Sequence, residues 1–549
     1  MTAPISETLP PTRGRIAVIQ AIRGVSLCEY LWLIASLLFS FALRVPFFRV
    51  AMIADEGGYA YATRGWLDGT GKLYQDLWIS RPQGIFIVYA AIFETLGTGT
   101  VAFRLASWIA CALTTIVVWM IARQWTSRGV ALYAAGCFAF FSSLPNIEGF
   151  TANAEIFMGL PAAITAWLLF RSWQLGWGKW HLLSIGIMTG LAIQLKPAGI
   201  VMMPIAAVFI LLIEPTPMIV VLKRVGWMSL GLAIIGVPSL IHGWYLGWDD
   251  FIFATVEYRL TSQSSVTTTL QGHVDGILKL LDRIFGLAIS LLVILILKYR
   301  DPIRRGYLKC AFSPHPHVPK LKRTPRALNL VPPATVPIVS LSRPSDPAGF
   351  LIRVWVIGCL AGIAMGGDWW PHYLLQLAAP FAIWFAKTTV DLWRSLPKPD
   401  RRMFLVVMIG LQLTPYWVLG TGDYSWRSIT NSLFDHAGYP AQQDVADYIR
   451  EHTEPGTKIF VAFDQAAIYY LADRPPSYRH LYEQELNAIP NSYSEILSMI
   501  QSADRPMYIV TTRQADVFPD RGAIFWQLVG EYYQLETEID GVPIYRRKE

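Results

Sequence analysis

"IADEGGYAYATRGWLDGTGKLYQDLWISRPQG", residues 53–84, interrupts an apolar chain directly after its first hydrophobic run. It sets Asp55 and Glu56 side by side and follows them with a train of Tyr, Trp, Arg and Gly. Two acids at a helix start commonly need no function, because Asp is a good N-cap and Glu suits the first turn. Here they adjoin the end of a run long enough to cross a bilayer, where ionisable groups are costly unless they serve a site. The same arrangement recurs with Glu148 and Glu155 in "NIEGFTANAE" and Asp368 in "GGDWWPHY".

The totals identify the solvent. Of 549 residues, 53% are hydrophobic and only 15% charged, and the mean hydropathy is +0.38, outside the range of a soluble domain. This predicts a polytopic α-helical membrane protein. The net charge of +7 lies mainly between hydrophobic runs, where membrane topology accounts for it without nucleic acid. Cys28, Cys111, Cys137, Cys310 and Cys359 form no CxxC pair and predict neither a disulfide framework nor a metal cluster. The run from about 29 to 48 has a long lead and no clear cleavage site, so it reads as an uncleaved helix whose basic lead (Arg13, Arg15, Arg23) stays in the cytoplasm.

Apolar runs fall at about 29–48, 101–123, 130–147, 155–170, 181–195, 198–213, 226–246, 284–298, 350–366, 373–388 and 403–421, giving about 11 crossings. Residues 84–97 would reach only about 20 Å as a helix and carry Glu94, so they read as an interfacial helix within the first outer loop, 49–100. With the N-terminus (1–28) inside, roughly 25 Lys and Arg fall in inner segments and about 10 in outer ones, as the positive-inside tendency requires. The Pro- and Lys/Arg-rich stretch at 299–349, which contains His315 and His317, reads as a cytoplasmic linker on anionic lipid. The odd count places the tail, 422–549, outside. There "QQDVADYIREH" and "SYSEILSMIQSA" read as helices, "TKIFVAF" and "PMYIVTT" as strands, and "YYQLETEIDGVPIYRR" as a hairpin: a small extracytoplasmic α/β domain with no nucleotide-binding spacing.

Cations share the outer side with the acids. Lys196 ends a crossing in "GLAIQLKPAG", and Arg64, Arg81, Arg104 and Arg259 belong to outer segments. Together they predict an outward cavity suited to a phosphate-bearing ligand. The order "DEGGYAYATRGWLDG", "YQDLWISRPQGIFIVYAAIFETLG", "VAFRLASWIACALTTIVVWMIARQW", "TANAE", "GLAIQLKPAG" and "WWPHYLLQLAAPFAIW" resembles bacterial members of the protein O-mannosyltransferase superfamily. These are GT-C fold glycosyltransferases, including the lipid A aminoarabinose transferases and Rgt-type galacturonosyltransferases. The resemblance spans roughly residues 25 to 390, and the tail agrees only as an extracytoplasmic α/β domain.

The resemblance implies transfer of a sugar from a polyprenyl-phosphate donor to a lipid, glycan or protein acceptor on the extracytoplasmic face of the bacterial inner membrane. By it, Asp55 matches the catalytic acid and Glu56 its neighbour. Glu155 matches a second acid holding sugar or acceptor, while Lys196 and Arg81 match cations near the lipid phosphate. His372 and Tyr373 match a pair beside the cavity, and Arg64 and Tyr59 join the candidate binding set. A carboxylate can take the proton of an attacking hydroxyl, and Lys or Arg can stabilise a departing phosphate. One base without a second nucleophile predicts inversion. No Asp-x-Asp motif is present, so neither a metal nor another cofactor is expected. A lipid or solute transporter is the alternative; it would commonly carry an internal repeat, and the two halves show no matching pattern.

Overall fold

The computed structural model describes residues 25–214, 216–261, 270–297, 344, 346–366, 369–413, 416, 425–434, 438–513, 518 and 520–549. The basic lead, nearly all of the 299–349 linker and Asp368 lie outside the described residues.

Helix α1 (Leu27–Arg44) begins where Ser26 and Glu29 cap each other reciprocally. A short helix α2 (Ala54–Leu67) follows, then α3 (Gln83–Thr95), α4 (Thr100–Trp125), α5 (Arg128–Phe141), α6 (Ala154–Leu175), α7 (Lys179–Leu195), α8 (Met202–Ile213) and α9 (Met218–Ile252). The helical part continues with α10 (Leu270–Arg283), α11 (Phe285–Leu297), α12 (Pro347–Met365), α13 (Ala378–Ser395) and α14 (Lys398–Leu413). Side chains facing away from neighbours are apolar: Leu38, Leu222, Ile241 and Val406 are each more than half exposed. A surface of that kind belongs in hydrocarbon.

Helices stand at the expected positions, but their lengths differ from a uniform set of 11 spans. Among the described residues, five helices are long and apolar enough to cross a membrane, six if α10 and α11, bent by 96° at their junction, count as one span. Others, such as α5 with 14 residues and α8 with 12, reach only roughly 18–21 Å. At these two the hydropathy runs, 130–147 and 198–213, exceed the helices because they continue into the turns beside them, such as Pro197–Val201.

The C-terminal part contains α15 (Trp426–Leu433), α16 (Gly438–Glu451), β1 (Ile459–Ala462), α17 (Ala467–Ala472), α18 (Glu483–Ala488), α19 (Ser492–Gln501), β2 (Tyr508–Thr511), α20 (Ala523–Tyr532), β3 (Tyr533–Ile539) and β4 (Val542–Arg547). The sheet order is β1-β2-β4-β3, with β1 parallel to β2 and the remaining pairs antiparallel. Asp540 and Gly541 both have positive φ, 49° and 83°, as a two-residue hairpin turn requires.

This domain is not a loose appendage. Its buried residues Ala441, Val445, Ile459 and Tyr469 belong to the same apolar core as the helical part. The reason lies in "EGGY". A Cβ on Gly57 would stand 2.3 Å from the Ala467 backbone, and one on Gly58 would meet the Tyr482 hydroxyl at 1.7 Å. Only hydrogen on both positions lets the domain sit directly on α2. Arg64 closes the seam, donating to the Tyr470 carbonyl at 3.0 Å and to Asp473 at 2.9 Å.

Candidate functional site

Helix α2 holds Asp55 in its first turn, and the side chain keeps about 21% of its surface exposed. The Tyr59 hydroxyl, one turn on, donates to Asp55 Oδ2 at 3.1 Å. Arg81 donates through Nε to the Tyr59 oxygen at 2.8 Å and through Nη2 to Asp55 Oδ2 at 3.3 Å. Burial pushes the Asp55 carboxyl up, but Arg81, then His372, Lys196 and the Tyr59 hydroxyl, outweigh it and hold the group below the ordinary carboxylate range.

Arg81 is brought there by "RPQG". Gly84 lets α3 approach the end of α7 so closely that a Cβ would lie 2.6 Å from the Gln194 carbonyl oxygen. Gln83 then donates to the Ser239 carbonyl of α9 at 3.1 Å. Residues 80–83 are thereby clamped between two helices, with Lys196 two residues beyond Gln194.

A second charged chain runs beside the first. Lys196 pairs with the fully buried Glu155, and its ammonium lies 4.1 Å over the Tyr373 ring. His372 shares Nδ1 with Glu148 at 2.9 Å and turns Nε2 towards Glu155 at 3.6 Å. Burial alone would lower the His372 pKa; Glu155 and Glu148 reverse that and hold it above the ordinary histidine value.

Two spaces meet at these residues. A polar cavity of about 220 Å³ is lined by Asp55, Arg81, Glu148 and His372 on the helical side. A largely apolar groove of about 520 Å³ is lined by Ile193, Leu240, Phe251 and Leu260, with Lys196 at its wall. Arg81, Arg259 and Tyr373 belong to both. Arg259 donates to the Ser80 carbonyl at 3.1 Å and to its hydroxyl at 2.7 Å, which places a second guanidinium beside Arg81.

Not every candidate reaches the cavity. Glu56 is fully buried: it accepts from the Ile53 and Ala152 amides at 3.1 and 2.5 Å and pairs with the buried Arg104. It therefore fastens α2 to α4 and to the loop before α6, and touches no open space lined by Asp55. Arg64 is a fastening of the C-terminal domain. Tyr59 acts behind Asp55, and Glu155 behind Lys196 and His372.

The sequence marks Arg259 as one of the outer-side cations of a phosphate-suited cavity and Glu148 as an acid at a helix end, but it marks no residue of the far wall. That wall is the C-terminal domain: Tyr439, Asp464, Tyr482, Glu483, Glu485 and Arg513 line the polar cavity. Burial pushes the Asp464 carboxyl up to about 6 against the pull of the Gln465 amide and Arg513, with Asp55 adding repulsion across the cavity. The one available signal was Gly57–Gly58, which marks a close approach without saying what approaches.

Residues 80–242 match the family profile described as dolichyl-phosphate-mannose-protein mannosyltransferase, a stretch that leaves Asp55 outside it. No curated protein matches the chain. Among solved structures, ArnT from Cupriavidus metallidurans bound to undecaprenyl phosphate is similar with a TM-score of 0.57 at 11% identity, over 94% of this chain and 97% of that one. Its apo state gives 0.56 at 11% identity, over 94% and 98%. The oligosaccharyltransferase of Archaeoglobus fulgidus tethered to an acceptor peptide gives 0.51 at 13% identity, over 92% of this chain and 72% of that one. At such identities the structural likeness is one of fold. It coincides with the profile match over residues 80–242, so the chain shares the fold of these glycosyltransferases and carries a segment similar to that mannosyltransferase family.

Proposed function

We propose that the protein transfers a sugar from a polyprenyl-phosphate donor to a hydroxyl of a lipid, glycan or protein acceptor, on the extracytoplasmic face of a bacterial inner membrane. The observation that carries this reading is the position of Arg81, which holds Asp55 at 3.3 Å and lines both the polar cavity and the apolar groove. A polyprenyl chain suits the groove. Its phosphate would then meet Arg81 and Arg259, with Lys196 close by, and its sugar would enter the polar cavity beside Asp55. The undecaprenyl phosphate bound in the similar ArnT structure agrees with a donor of this class.

Asp55 acts as the base. In the resting protein Arg81 and Tyr59 hold it as a carboxylate, which orients it but weakens it. A donor phosphate at the junction competes for the Arg81 fork and leaves Asp55 less neutralised, so its basicity rises once substrate is in place. The acceptor oxygen attacks the anomeric carbon, Asp55 takes its proton, and the bond to the phosphate oxygen breaks. The departing phosphate keeps the electron pair, and the guanidiniums stabilise its charge in a water-poor setting. With one base and no covalent intermediate, the anomeric configuration inverts.

Membranes carrying wild-type protein or Asp55→Asn, given a labelled polyprenyl-phosphate sugar, test the reading. Wild type is expected to pass label to an acceptor, and Asp55→Asn to do so about 10²–10⁴ times more slowly. Equal transfer by both would remove Asp55 from the mechanism.

A further inference from the structure

The C-terminal domain supplies a wall of the polar cavity, and its residues there are arranged for recognition. Arg513 leaves β2 and pairs through Nη1 with Glu483 at the start of α18, with Asp464 Oδ2 at 3.9 Å. Among the described residues its Nε and Nη2 make no hydrogen bond, so part of the guanidinium fork is free towards the cavity. Glu485, in the first turn of α18, is 1% exposed; one carboxyl oxygen accepts from the Leu481 amide at 3.1 Å, and its second oxygen has no partner among the described residues. A buried oxygen without a partner, on a residue that lines a cavity, costs stability unless a ligand completes it. Tyr439 and Tyr482 bring ring surface to the same wall.

Carboxylates and a guanidinium fork alternating with aromatic faces match one chemistry well. Vicinal sugar hydroxyls donate to carboxylates and accept from Arg, and the C–H face of a sugar ring packs on tyrosine. The cavity volume of about 220 Å³ is that of a single sugar ring rather than an extended glycan. Its other end opens at Arg81 and Arg259, where the groove begins.

We infer that the C-terminal domain is the sugar reader of the enzyme: Asp464, Glu485 and Arg513 bind the hydroxyls of the donor's sugar while the helical part holds its lipid phosphate. This rests on the proposed polyprenyl-phosphate donor. It divides specificity between two parts of one chain, lipid and phosphate on the helices and sugar identity on the sheet domain. The Gly57–Gly58 seam fixes the distance between the two readers.

The test compares two ligands on purified full-length protein in nanodiscs: undecaprenyl phosphate alone, and undecaprenyl phosphate carrying a neutral hexose, a hexuronic acid or an amino sugar. Wild type is expected to bind at least one glycosylated donor about ten-fold more tightly than the bare lipid phosphate. Arg513→Gln and Asp464→Asn should each erase most of that gain and leave the affinity for undecaprenyl phosphate within about two-fold. The near-isosteric Asp464→Asn carries the test should Arg513→Gln fail to fold, which a loss of bare-lipid affinity would reveal. A gain that survives in both folded variants overturns the inference, and so does a rise in acceptor KM alone, which would assign the wall to the acceptor. If wild type does not bind undecaprenyl phosphate at all, the donor reading itself fails.

Discussion

Replacing Arg81 with Met removes the nearest cation from Asp55 and keeps most of the volume. At 3.3 Å and an effective dielectric of about 20, Coulomb's law gives about 5 kcal/mol as the upper bound on what Arg81 contributes to the charged form. Asp55 is one-fifth exposed, so solvent screens part of this, and neighbouring His372, Lys196 and Tyr59 remain. A rise of the Asp55 pKa towards and past the ordinary carboxylate value is therefore expected. The sign follows from the base role: Asp55 must be deprotonated to act, its pKa is depressed in the native protein, and loss of Arg81 raises it. The acid limb of the kcat/KM profile should move to higher pH. Arg81 also meets the phosphate, so the rate falls at every pH, and the position of the limb, not its height, is the readout. Transfer from a labelled polyprenyl-phosphate sugar, measured between pH 4 and 9, records it. Arg81→Lys keeps the charge and should leave the limb near its wild-type position. A limb that stays fixed in Arg81→Met, or moves equally in both variants, refutes the coupling of Arg81 to Asp55.

Glu56→Gln should act on stability: it leaves the Arg104 guanidinium buried without its counter-ion, at a cost of about 3–5 kcal/mol, readable as a lowered midpoint of thermal unfolding in detergent. An unchanged midpoint would contradict the fastening role. Gly57→Val puts a side chain into the Ala467 backbone, so faster proteolysis of the C-terminal domain and loss of transfer should appear together. Lys196→Met and Arg259→Gln should each weaken undecaprenyl phosphate binding about ten-fold in a direct titration, and unaltered affinity would move the phosphate site elsewhere. The anomeric configuration of product against donor, read by NMR, should be opposite; retention would exclude single displacement.

The helical class was legible because bilayer-facing residues such as Leu38 and Ile241 must be apolar whatever they pack against. The exact crossings were less so: hydropathy joins Pro197–Val201 to α8 although the backbone changes there. In the C-terminal domain β1 and β2 followed from their short apolar runs, buried on both faces, and β3 and β4 from the Asp540–Gly541 turn between them. The short helix α17 escaped because six residues carry no periodic signal, although it is the element that lands on Gly57. The site divides in the same way. Asp55, Arg81, Lys196 and His372, each in a quoted motif, stand near one another in the fold. Glu56 turns away from the cavity, towards Arg104, because adjacent residues on a helix face different directions. Asp464 and Arg513 reach the cavity through the tertiary fold, and no local pattern in the tail marks them.

In the proposed mechanism a lipid-linked phosphate sits where the groove meets the cavity, within reach of the base. A cryo-EM structure of the protein with undecaprenyl phosphate tests it most directly. The phosphorus is expected between Arg81 and Arg259, the chain along Leu240, Phe251 and Leu260, and the Arg81 fork drawn from Asp55 towards the phosphate. A lipid bound elsewhere, with that groove empty and the Asp55–Arg81 pair untouched, would contradict it.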